Sequence, residues 1–106
     1  MKRSQIHFSR DIRKEQIIRE TLFLETESDR PITLTMICKQ LRTTPSNPMR
    51  IILSELDSIG LVTVKEGVNS KNRKALIYTA NHAAIEKYYG SEWYRNVIKG
   101  IKRRLE

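Results

Sequence analysis

The chain has 106 residues, with 20 Lys plus Arg against 12 Asp plus Glu, for a formal net charge of +8 at pH 7. That length builds one modest core and not two, and no apolar run approaches the roughly 18 residues that span a bilayer. The basic balance favours a polyanionic partner, while the single cysteine, Cys38, excludes an internal disulfide and fits a reducing, cytoplasmic compartment.

Cations gather in three places: Lys2, Arg3, Arg10, Arg13 and Lys14 at the start, Lys71, Arg73 and Lys74 in the middle, and Arg95, Lys99, Lys102, Arg103 and Arg104 at the end. Acidic residues concentrate between Glu15 and Asp29, so a basic side and a neutral or acidic side are expected. The opening MKRSQIHFSR carries charge with no apolar stretch behind it and does not read as a secretory signal.

Residues 1–8 show no periodicity, and 1–9 are expected to form an arm. Ser9 reads as an N-cap, with Asp11 in the first turn, where the helix dipole favours negative charge. The first helix is predicted to run to about Thr26, with Ile12, Ile17, Ile18, Thr21, Leu22 and Leu24 on its apolar face. Glu15, Glu20, Glu25 and Glu27 read as its solvated face. Pro31 ends it, and Ile32-Thr33-Leu34 could form a very short strand.

A second helix is predicted over 36–42, capped by Thr33 or Thr35, with Ile37, Cys38 and Leu41 one turn apart. In the following TPSNPMRIILSELDSIG, Asn47 reads as the cap of a third helix and Pro48 as its first residue. A start at Thr44-Pro45 ranks second, because Pro48 would then sit inside the helix without an N–H. Met49, Ile52, Leu53 and Leu56 form one apolar face, and Gly60 stops the helix. Two strands follow, 61–66 and 75–79, around the turn-forming GVNSKNRK. Asn81 caps a last helix from about His82, and Gly90-Ser91 bends or splits it. Its stripe is Ile85, Tyr89, Trp93, Val97, Ile101 and Leu105.

This order resembles the winged helix-turn-helix domains of MarR- and ArsR-like transcriptional regulators. ITLTMICKQL is similar to their second helix, SNPMRIILSELDSIGLV to their recognition helix and its exit, and VKEGVNSKNRKALIYTA to the wing and return strand. The likeness covers roughly residues 10–82. Two departures are Pro48 at the front of the recognition helix and Asn72, where MarR-like wings carry an acidic residue before arginine. The resemblance implies a mainly α fold with a small β-hairpin, double-stranded DNA as partner, transcription regulation and a place on the nucleoid. The chain then divides into an arm (1–9), the winged domain (10–82) and a C-terminal helix (83–106).

The outward side of the third helix is expected to hold Ser46, Asn47, Arg50, Ile51, Ser54 and Asp57. Arg50 is the expected base contact, since its fork matches guanine O6 and N7. Asn47 is favoured as a cap over an adenine contact, and Ile51 is favoured as buried over touching a thymine methyl. Ser46 and Ser54 suit phosphate oxygens, and Thr44 is a further expected DNA contact. Lys71, Asn72, Arg73 and Lys74 are the expected wing contacts, with Arg73 entering the minor groove.

The stripe Ile85, Tyr89, Trp93, Val97, Ile101 and Leu105 is longer than a small domain needs. It is therefore expected to form a homodimer that spaces two recognition helices about 34 Å apart. A basic amphipathic helix on a membrane surface is its rival reading. His7 and His82 stand alone, Cys38 reads as a small core residue, and no phosphate loop, nucleophile elbow or carboxylate pair appears. No enzyme, metal or cofactor is expected. The alternatives to a regulator are a winged-helix protein–protein adaptor and a centromere-binding or architectural DNA-binding protein.

Overall fold

In the computed structural model, which describes residues 3–106 and side chains from Arg10 onward, five helices and one hairpin follow in chain order. These are α1 (Arg3–Glu27), α2 (Leu34–Gln40), α3 (Asn47–Ser58), β1 (Val62–Val68), β2 (Lys74–Ala80), α4 (His82–Tyr89) and α5 (Ser91–Leu105). The fold is mainly helical with a two-stranded antiparallel sheet. No helix of the described residues is long and apolar enough to cross a membrane.

Helix α1 is the scaffold. It runs for 25 residues, about 37 Å, and begins at Arg3, so Ser9 lies inside it rather than at its N-terminus. Residues 3–9, expected as an arm, are helical. Ile17, Ile18, Thr21 and Leu22 are fully buried, and Thr21 satisfies its hydroxyl on the Ile17 carbonyl at 2.7 Å. The apolar face is wider than the expected one. Phe23 is also buried, beneath the Arg104 guanidinium of α5 at 3.8 Å, whereas Ile12 is exposed.

Of the four glutamates expected as a solvated face of α1, Glu27 is exposed, whereas Glu15, Glu20 and Glu25 are partly buried and engaged. Glu15 accepts from Trp93 Nε1 at 3.1 Å and pairs with Arg19 at 2.7 Å. Glu20 takes both arms of Arg104, at 3.2 and 3.1 Å. Glu25 accepts the Ala80 N–H at 3.1 Å and lies 3.2 Å from His82, whose other ring nitrogen meets the Tyr94 hydroxyl at 2.8 Å. Three acidic residues thus fasten the C-terminal third of the chain to α1, and His82 is partnered rather than alone.

The C-terminal stripe is consumed by the same packing. Ile85, Val97 and Ile101 belong to the chain's own core, and Tyr89 and Trp93 are half-buried and stacked with centroids 4.2 Å apart. Of the six residues expected to form a dimer interface, Leu105 alone stays exposed. The correction has a simple cause: the second apolar side of α1 covers the stripe that a partner was expected to cover. Gly90, at φ +102°, splits the last helix in two and lets α5 turn onto α1.

Between α1 and the hairpin the chain forms no strand at 32–34. One bond, from the Tyr78 N–H to the Ile32 carbonyl at 2.9 Å, holds this segment beside β2. Thr33 caps α2 by accepting from Met36 N–H.

Candidate nucleic-acid interface

Helix α3 carries the candidate face. Its apolar positions Met49, Ile52, Leu53 and Leu56 are all buried, which fixes the opposite side outward. Ser46 is the cap, accepting from Met49 N–H at 3.4 Å, and Asn47 is the first helical residue, with Pro48 behind it. Asn47 is therefore released from capping and exposed. A serine one residue earlier does the same job, and Pro48 is tolerated because the first turn has no intrahelical use for its missing N–H.

At the other end, Leu61 N–H bonds to the Leu56 carbonyl at 2.9 Å and Gly60 N–H to the Asp57 carbonyl at 3.0 Å. With Gly60 at φ +78°, this is a Schellman stop that sends the chain straight into β1. Asp57, expected on the outward face, instead accepts the Val64 N–H at 3.1 Å and ties α3 to the hairpin.

Arg50, Ile51 and Ser54 are exposed along the outer side, with Thr44 exposed in the connection before it. Asn47, Arg50, Ile51, Ser54, Glu55 and Ser58 line one shallow depression. Arg50 makes no ion pair among the described residues. Its charge is felt at the base of the helix: burial pushes the Cys38 thiol and the Tyr78 hydroxyl up, and Arg50 opposes both, with Arg13 assisting at Cys38. Ile51 is 52% exposed, so the expectation of burial is corrected.

The hairpin pairs Val62 with Ala80 through Val68 with Lys74 in continuous register. Its tip is ordered by Asn69, whose side-chain oxygen accepts from Lys71 N–H at 2.9 Å and Arg73 N–H at 3.0 Å. Asn72 sits at φ +61°, a conformation asparagine tolerates better than most residues. Asn72 therefore shapes the turn, while Lys71, Arg73 and Lys74 are exposed and make no ion pair among the described residues. Lys71 and Arg73 share a groove with Arg30, Thr33 and Thr35 at the start of α2.

Two cations of the N-terminal cluster lie beside α3, a placement the sequence does not show. Arg10 and Lys14 of α1 reach Glu55 at 3.1 and 3.0 Å. Two cations against this carboxylate offset the negative charge on the outer face of α3. The i, i+4 spacing of Arg10 and Lys14 is visible in the sequence, but their target on another helix, 45 and 41 residues away, is not. Among the described residues, no group of three His, Cys, Asp or Glu side chains could hold a metal.

Comparison of the chain with protein-family models, curated proteins and solved structures gave no match.

Proposed function

We propose that this protein is a sequence-specific double-stranded DNA-binding protein of the winged helix-turn-helix type, acting as a transcriptional regulator. Helix α3 enters the major groove, and the β1–β2 hairpin lies along the backbone as the wing. The carrying observation is an exposed Arg50, without an ion pair among the described residues, on the polar side of a helix whose opposite side is wholly buried. A helix can be read into a groove only with that division of labour.

In this reading Arg50 bonds to guanine O6 and N7, and Asn47, freed from capping, is available to an adenine edge. Thr44, Ser46 and Ser54 face phosphate oxygens. Lys71, Arg73 and Lys74 neutralise backbone charge, with counterion release supplying affinity that is independent of sequence. Each chain supplies one reading head. The homodimer expected through α5 is not carried forward, because Ile85, Val97 and Ile101 are spent in the chain's own core.

Selection of bound duplexes from a random pool, at 100 mM salt, tests the proposal. The expected outcome is a short motif holding at least one invariant G·C pair. Retention of no duplex even at low salt would overturn it and favour the adaptor reading.

A further inference from the structure

We propose that Ile51 is a specificity-determining residue that reads the 5-methyl group of thymine next to the guanine held by Arg50. The inference rests on the DNA-binding reading above and deepens it, by assigning an A·T preference to a defined side chain.

The argument begins with what α3 does not bury. Met49, Ile52, Leu53 and Leu56 are 4%, 8%, 2% and 0% exposed and complete the inner face of the helix. Ile51 is 52% exposed. Successive helical residues are about 100° apart, so bringing Ile51 inward would carry Leu53 or Met49 out. The exposure is thus built into the register of the helix.

A single exposed isoleucine is ordinary on a protein surface. Its neighbours give this one meaning. The depression it lines is otherwise made of polar side chains, Asn47, Arg50, Ser54, Glu55 and Ser58. On a face of that composition Ile51 is the one large apolar group, and it adjoins Arg50 in the chain. The major groove offers one apolar group to match it, the thymine methyl. A helix placed so that Arg50 meets a guanine sets Ile51 over the same or a neighbouring step, within about two base pairs.

The test uses the duplex obtained by selection, with each thymine replaced in turn by deoxyuridine, which differs only by that methyl. Wild-type protein should lose about fourfold in affinity at one thymine near the guanine, the fold-change of one buried methyl group. Ile51→Ala should bind the parent duplex more weakly and be indifferent to that replacement, the non-additivity that marks a direct contact. Ile51→Ala lies on an exposed position and should leave the thermal unfolding curve in place. Ile51→Thr, which keeps one branch methyl, should retain part of the sensitivity and checks the result.

Equal sensitivity of wild type and Ile51→Ala at every thymine would overturn the inference while leaving the DNA-binding reading standing. So would tight duplex binding with no thymine mattering to the wild type. Failure of the wild type to retain any duplex would overturn both readings together.

Discussion

If the hairpin tip neutralises phosphates, removing its lysines must change how binding depends on salt. Lys71 and Lys74 are exposed at the tip, so their substitution breaks no ion pair among the described residues. Each phosphate contact contributes about 0.9 to the magnitude of the slope of log K against log salt on duplex DNA. The double variant Lys71→Ala, Lys74→Ala should therefore have a slope shallower by about 1.8. Between 50 and 200 mM salt, a fourfold rise, wild type should lose about 12-fold more affinity than the variant. Fluorescence anisotropy titrations at several salt concentrations measure this on the selected duplex and on random duplex in parallel. The loss should be the same on both, since phosphates carry no sequence. Stability should stay within about 0.5 kcal/mol of wild type. An unchanged slope, or a loss confined to the selected duplex, would refute the assignment of the tip to the backbone.

Three further outcomes follow from other parts of the molecule. Glu55→Gln removes a carboxylate from the outer face of α3 and releases Arg10 and Lys14 from it; binding to any duplex should tighten and its salt slope steepen, at a cost of up to about 1 kcal/mol in thermal stability. Ile101→Ala opens the core between α5 and α1 and should cost about 2–5 kcal/mol in denaturant unfolding, with no change in sedimentation behaviour; loss of an oligomer without loss of stability would restore α5 as an interface. The Tyr89 hydroxyl is pushed from 10.0 up to about 12, by burial first and then by Tyr88, Glu15 and Asp11. A value raised in the folded chain leaves stability intact below pH 10 and removes it as pH rises from about 10 to 12. Tyr89→Phe should flatten that part of the stability curve, and a curve identical to wild type would contradict the burial assignment.

The periodic parts of the chain were legible from sequence. The inward set Met49, Ile52, Leu53 and Leu56, the Gly60 stop, the Asn81 cap and the hairpin with its basic tip all appear as read. These are local signals: a 3.6-residue period, a glycine at positive φ, an asparagine whose side chain reaches three residues on. Three readings in particular differ from the structure. The cap of α3 was misplaced by one residue, because Ser46 and Asn47 are both good caps and only geometry chooses between them. The C-terminal stripe reads as a surface for a second copy, but Ile85, Val97 and Ile101 of it join residues of α1 in the chain's own core. Nothing local announces that Phe23, Glu15 and Glu20 of α1 will receive α5, or that Glu25 will meet His82 of α4, since these partners lie 57 to 84 residues away. Ile51 was assigned to the core on hydrophobicity alone, which the register of its helix does not permit.

The account stands on Arg50 as the reader of a base. Affinities of wild type and Arg50→Ala should be compared on the selected duplex and on random duplex at the same salt. A bidentate guanine contact contributes about 1–3 kcal/mol of discrimination, so the variant should lose roughly 5- to 150-fold more on the selected duplex than on the random one. Equal losses on the two duplexes would contradict the account, because Arg50 would then be one more positive charge beside the backbone.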